Sequence, residues 1–503
     1  MKRKKMNKLP KCMKAAGLPI ALSAVMLPAS VSADEAAEIA ELRASASQMQ
    51  EMMKQMQAKI AELEKKQTNT AAVAAAAAAS APVKPRVPSS AAPEIIPPTN
   101  LAEAMSTPRY KGNKSPVRHR KTMNDQQGAM SRPLDHTVDP EYRGFFAIPN
   151  TPAIIQLNAK PRIDMTYDSK NAGSKSRFIP AKFPLAGDPQ AGGSGQFNTN
   201  ANGTTLLADV RTPDQPGNFR FYYQNDFFGQ EDKMEYRLNH VYGQYFGLKI
   251  GHTTSAWENG DIWPDTVDFE GPVSVIYARR AVAHYTHSYN ENWNSTFGVE
   301  QPDFYVDLAS GDDSAIKQTR MPDFTFNTRW EDSKWGHVQA STILRDIGAR
   351  RAGEDQHVFG WGLNLGCNIN ATEKDSIQLL GVYGRGVGGM GNDTSFLSSD
   401  AGYTSEGDLE ALPYWSLMGA WTHRWNEKYR SSLVLGHADL DAASGMDVDF
   451  YSHSNYGAIN TIWQIRERWQ MGAELLYGYK EAQSGRNSGD VFRFQVGMMY
   501  SLF

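Results

Sequence analysis

From Ile155 to Asp168 apolar and polar side chains alternate without a slip. Ile155, Leu157, Ala159, Pro161, Ile163, Met165 and Tyr167 stand against Gln156, Asn158, Lys160, Arg162, Asp164, Thr166 and Asp168. A period of two marks a β-strand whose two faces meet different surroundings. The run exceeds a globular strand of about 5–6 residues and suits a tilted membrane strand of about 9–11 with an extension. The period returns where Phe219, Phe221 and Tyr223 oppose Arg220, Tyr222, Gln224 and Asp226, and again in Trp415, Leu417, Gly419 and Trp421. In the last segment Phe492, Phe494, Val496, Met498 and Tyr500 oppose Arg493, Gln495, Gly497, Met499 and Ser501. Aromatic residues gather at the strand ends, as interfacial girdles require. The pattern predicts an all-β fold over 145–503, a transmembrane antiparallel β-barrel. Roughly 360 residues, at roughly 22 per strand and connection, give about 16 strands, enough for an aqueous channel. A soluble sandwich or propeller would not carry a polar second face on so many long strands.

The period is different upstream. Within Asp34–Lys66, Ile39, Leu42, Ala46, Met49, Met53, Met56, Ile60 and Leu63 are spaced alternately by three and four. That is an a/d heptad seam, which predicts an α-helical coiled coil and therefore a homo-oligomer. Its Met and Ala layers leave the number of strands open. Residues 67–144 lose all periodicity: Ala71–Ala79 is nearly all Ala and Ala81–Pro98 is rich in Pro, so this stretch is expected to be a flexible linker. Its basic run, Arg109, Lys111, Lys114, Arg118, Arg120 and Lys121, is read as solvated, with cell-wall or membrane-surface contact as the alternative.

At the N-terminus Met1–Lys14 holds seven basic residues and no acid, Ala15–Leu27 is apolar, and Val31-Ser32-Ala33 is small. This order predicts a secretory signal peptide over residues 1–33. The apolar part is too short to cross a hydrocarbon core about 30 Å thick. The whole chain has a formal net charge of −3 and those residues contribute seven positive charges, so the rest carries −10. Such a chain has no basic excess for nucleic acid. Cys12 falls in the signal, and Cys367 alone cannot form an internal disulfide. No apolar stretch reaches about 18 residues, so no transmembrane helix is expected.

Certain words then carry a resemblance. Asp226-Phe227-Phe228-Gly229 precedes Tyr236-Arg237-Leu238-Asn239-His240-Val241-Tyr242-Gly243, then Gly251-His252-Thr253-Thr254-Ser255, Asp268-Phe269-Glu270-Gly271-Pro272 and Arg279-Arg280. Together, with the order coiled coil, linker and barrel, they resemble the DcaP-like family of trimeric outer-membrane porins. The resemblance implies a homotrimer in the bacterial outer membrane, surrounded by its lipids, with the coiled coil in the periplasm. It also implies uptake of small anions, dicarboxylates above all, through a basic constriction. Departures fall at Asn239 and Arg280, where the family pattern has Arg and Gln, and at Thr254, where it has Trp. The ending Tyr500-Ser501-Leu502-Phe503 is one residue longer than the common pattern.

A passive channel needs charges in a wet pore and no nucleophile or cofactor. Strand parity sends Lys160, Arg162, Arg220, Arg237, Asn239, Arg280, His284 and Arg493 towards the lumen, with Asp164 and Asp226 on the same face. Arg237 and Arg280 are the leading constriction candidates, because both lie within the family words and guanidinium suits a carboxylate. Opposed acidic and basic walls would set a crosswise field. No Gly-x-Ser-x-Gly or His-Glu-x-x-His motif is present, so an enzyme is not expected. His437-Ala438-Asp439-Leu440-Asp441 reads as a strand end and polar loop rather than a metal or acid/base site. The alternatives to an anion porin are a general-diffusion porin and a structural tether between outer membrane and wall.

Overall fold

The computed structural model describes residues 145–502 except 213–218, 231, 308–315, 352 and 396; the expected signal peptide, coiled coil and linker lie outside the described residues. The chain opens with β1 (Phe146–Ala147), β2 (Ile154–Lys160) and β3 (Arg162–Asp168), and returns through β4 (Gln196–Asn200) and β5 (Thr205–Arg211). There follow β6 (Arg220–Asp226), β7 (Arg237–Tyr245), β8 (Leu248–Thr254), β9 (Arg279–Ser288) and β10 (Trp293–Glu300). Next come β11 (Val306–Asp307), β12 (Ile316–Gln318), β13 (Asp323–Asp332), β14 (Gly336–Arg351), β15 (Glu354–Asn370) and β16 (Asp375–Arg385). The last are β17 (Ala401–Tyr403), β18 (Leu409–Ala411), β19 (Pro413–Arg424), β20 (Tyr429–Leu440), β21 (Tyr451–Arg466), β22 (Trp469–Ala482) and β23 (Ser488–Tyr500).

One large antiparallel sheet holds all of these except β11, β17 and β18, which form a small sheet of their own. Its ladders run from β5 to β6, β7, β8, β9 and β10, then through β13 to β16 and β19 to β23. β23 pairs with β3, β3 with β4, and β2 with β5. The alternating run read as a single strand is divided at Pro161. Proline has no N–H to give the ladder, though its carbonyl accepts the Tyr500 N–H at 3.1 Å.

Burial on these strands is inverted relative to a soluble sheet. On β3, Ile163, Met165 and Tyr167 are 40, 37 and 53% exposed, whereas Arg162, Asp164, Thr166 and Asp168 are at most 3% exposed. Leu475 on β22 and Phe492 and Phe494 on β23 repeat the apolar outer face. Exposing so much apolar surface to water is unfavourable by about 25 cal/mol per Å², so this face belongs against lipid.

The two ends of the sheet differ. One has short turns, such as Phe246–Gly247 between β7 and β8. Both residues have positive φ (46° and 80°), the geometry of a turn that follows strand twist. A Cβ on Gly247 would lie 2.5 Å from the Thr286 carbonyl oxygen, so glycine is needed there. At the other end the segments 169–195, 255–278 and 386–412 fold onto the inner face. Phe178, Phe183, Trp257, Ile262, Val275 and Met390 pack there with inward residues of the strands, such as Ile343 and Tyr456. Each large side chain so buried contributes about 1.5–3 kcal/mol.

Candidate functional site

The inner face of β5–β8 is basic. Cross-strand register places Arg211 opposite Arg220, Arg220 opposite Gln244, Gln244 opposite Lys249 and Lys249 opposite His284, so these side chains share one row. Like charges directly opposite one another repel. Asp209 offsets this by accepting from both arginines, with contacts of 2.8–3.1 Å. The Arg220 guanidinium also lies 4.9 Å from the Tyr222 ring centroid, and Lys249 Nζ lies 5.0 Å from that of Tyr242.

Towards the long-loop end, Arg237 donates to Asp226 at 2.9 and 2.6 Å, and Asn239 Nδ2 donates to the same carboxylate at 2.9 Å. A register shift between β6 and β7 follows Gln224, and it leaves Asn239 and His240 both buried in succession. Arg279 reaches over from β9, its Nη1 donating to Asn239 Oδ1 at 2.7 Å and to the Tyr277 hydroxyl. Among the described residues this quarter of the wall therefore brings Arg211, Arg220, Arg237, Lys249 and Arg279 together around Asp209 and Asp226.

Across from it runs the segment 255–278, with Glu258, Asp261, Asp265, Asp268 and Glu270 but no Lys or Arg. Side chains of the wall and of the segment 169–195 fasten it along its length. Arg329 holds Asp261 at 2.6 Å, Arg430 holds Asp265, and Arg177 stands 3.5 Å from Glu270. The Glu474 carboxylate accepts the Val267 and Asp268 backbone N–H groups at 2.9 and 2.6 Å. Glu300 accepts that of Ala256 at 2.8 Å, and Asn364 and Ser341 donate to the Trp257 carbonyl. Asp268 turns the chain by accepting from Glu270 and Gly271 N–H, and Gly271 has φ 76°, a left-handed conformation that glycine adopts freely. Burial pushes the Glu258 carboxyl up to about 8. Burial first, and then the Glu474 carboxylate, push Asp268 up to about 8 as well.

The other sequence candidates occupy different positions. Arg280 is 5% exposed, and its Nη1 donates to Asp323 at 2.7 Å; Asp323 is shared with Arg345, which also meets Asp400 at 3.2 Å. His284 Nε2 is 3.0 Å from Glu300 Oε1. This network ties the wall to the segments around Tyr305 and Gly389, whose N–H groups Asp400 accepts. Arg162 is paired with Asp164, and Arg493 with Asp168 at 2.6 and 2.8 Å. Lys160 is half-buried at the end of β2. His437 and Asp439 lie on the outer parity of β20, 4.0 Å apart. No group of three His, Cys, Asp or Glu suited to a metal ion occurs among the described residues. Parity thus located the inward residues, but Asp209, Arg211, Lys249, Arg279 and the acidic segment were not singled out from sequence. Arg211 and Asp209 alternate with Val210 in the same period of two, so that signal was available.

The sequence profile of the family described as DcaP outer membrane protein matches residues 121–501. The chain belongs to the DcaP outer membrane protein family. It is therefore a protein of the bacterial outer membrane, and the family is one of membrane proteins rather than enzymes. Among solved structures it is similar to the outer membrane channel DcaP of Acinetobacter baumannii, with a TM-score of 0.61 and 18% identity over 70% of this chain and 97% of that one. The anion-selective porin from Comamonas acidovorans matches with a TM-score of 0.44 and 11% identity, over 70% of this chain and all of that one. The loop L8 deletion mutant of OmpT from Vibrio cholerae matches with 0.45 and 8%, over the same shares. No curated protein matches the chain significantly in sequence.

Proposed function

We propose that this DcaP-family protein is a porin for passive uptake of small anionic, dicarboxylate-like solutes. The ladder from β3 and β4 round to β23 and back to β3 supports a closed transmembrane barrel. Counting β2–β3 and β4–β5 once each, and leaving out the two- and three-residue strands, gives 16 strands, an even number. The solute passes between the basic wall of β5–β8 and the acidic segment 255–278. Candidates for direct contact are Arg220, Arg237 and Asn239, joined by Arg211, Lys249 and Arg279. Lys160 and His284 flank that wall, whereas Arg162, Arg280 and Arg493 act through their carboxylate partners.

The observation that carries this reading is the excess of cations over carboxylates on one wall. In a narrow, poorly solvated passage such a wall concentrates anions and offers guanidinium forks to carboxylates. The functional protein is a homotrimer, exported by the signal peptide of residues 1–33 and carrying its coiled coil of residues 34–66 in the periplasm. Liposome uptake tests the reading. A four-carbon dicarboxylate is expected to enter faster than an uncharged sugar of similar size, and equal rates would replace the anion porin with a general-diffusion porin.

A further inference from the structure

The outer face carries a hollow that the transport reading does not use. About 390 Å³ in volume, it lies on β8, β9, β10, β13 and β14, where Ala283, beside Val299 on β10, is the small residue among Tyr285, Phe297, Phe324 and Leu344. Its floor includes the sheet itself at Gly298 and Thr325. The walls are strongly exposed for residues of their kind, Phe297 at 54% and Tyr285 at 50%.

Charge stands directly above it. Leu344 borders the hollow, and the next residue of the same parity on β14, towards the long-loop end, is Asp346, about 7 Å further along at the rise of a strand. Asp346 holds the Arg320 guanidinium through Nε at 3.1 Å and Nη2 at 2.7 Å, and His357 Nδ1 lies 3.0 Å from the oxygen that Nε meets. The Arg320 side chain is nevertheless 62% exposed. Asp346 fixes its orientation, and the guanidinium edge carrying Nη1 remains available to an outside anion. Two steps higher on the same parity, Arg350 pairs with Asp355. An apolar hollow within the lipid-facing belt, with an oriented, exposed guanidinium at its upper edge, matches a molecule having hydrocarbon at one end and phosphate at the other.

We infer that this face is a binding site for a phosphorylated acyl glycolipid of the outer leaflet, an acyl chain filling the hollow beside Ala283 and a phosphate on Arg320. Arginine suits the role because its planar fork binds phosphate in two parallel hydrogen bonds. A hydrocarbon chain suits the hollow because it is narrow and almost wholly apolar. The inference depends on the sheet spanning the outer membrane but not on which solute passes through it.

Purified protein reconstituted with lipid A, with its dephosphorylated form or with phosphatidylglycerol, and read by native mass spectrometry, tests the site. The parent is expected to retain lipid A in preference to both others. Arg320→Gln should lower retention of lipid A about tenfold, the scale of one charge-assisted contact, and leave the dephosphorylated form unchanged. Ala283→Trp, which fills the hollow, should lower retention of both. Both changes lie outside the pore, so unaltered single-channel conductance would certify folding and keep this test separate from that of transport. The inference is overturned if the parent shows no preference for lipid A, or if both variants retain it like the parent. It is equally overturned if the variants break the oligomer while lipid retention holds, because the face would then be a contact between copies.

Discussion

Arginines on the inner wall divide by what surrounds them. Arg280 is buried against Asp323 inside a network that also contains Glu300, Arg345 and Asp400, so its charge is largely spent within the fold. Arg237 also has a carboxylate partner, but its side chain is 19% exposed and stands beside the stacked rings of Phe228 and Phe269. Their replacement should therefore fail in different ways. Arg280→Ser leaves a buried carboxylate short of a partner, a change that typically costs about 3–5 kcal/mol. It should lower the temperature at which the protein loses its folded mobility on gels. Arg220→Ser with Arg237→Ser takes partners from Asp209 and Asp226, also buried, so it too should lower that temperature, but it alone should shift the reversal potential towards cations, because both carboxylates remain. A selectivity shift from Arg280→Ser with full thermal stability would contradict the division. The sequence made both residues equal candidates, since parity reports the face a side chain is on and not the partner it finds there. Asp323, which decides the matter, is 43 residues from Arg280.

At the scale of elements, the strands were legible and the segment between β8 and β9 was not. Alternation names a strand because lipid and water lie on opposite faces, as Ile163, Met165 and Tyr167 illustrate. The segment 255–278 has no period, since it is gripped from several sides by Arg329, Arg430, Glu474 and Glu300. Only its turn, Asp268 to Pro272, was visible, as a family word. This element should also be where pH acts. Glu258 and Asp268, each pushed to about 8, bind protons in the docked segment that they release in water near pH 4. Docking is then favoured at low pH, weakens as pH rises from about 4 to about 8, and changes little beyond. Once the intrinsic, base-catalysed rate is divided out, the Val267 and Asp268 amides should be less protected from hydrogen exchange at pH 8 than at pH 5. Asp268→Asn with Glu258→Gln should flatten the difference in protection, and protection that grows with pH would contradict this account.

For the whole molecule, the period of two, the expected strand number and the family words all lie in 145–503, whereas the heptads lie in 34–66. The oligomer prediction belongs at this scale. Replacing Met53 and Ile60 with Asp puts charge into the heptad seam and should melt the proposed coiled coil, which circular dichroism would show as lost helix. The proposed trimer should persist on gels, and monomers would mean that the heptad segment holds the assembly. In the proposed channel one wall of the interior carries more positive charge than the carboxylates around it cancel. Reversal potential across a bilayer in a salt gradient measures this most directly. Anion selectivity is expected near 0.1 M salt and should fade towards 1 M, as the screening length shrinks from about 10 Å to about 3 Å. A cation-selective channel, or an anion preference indifferent to salt, would contradict the account.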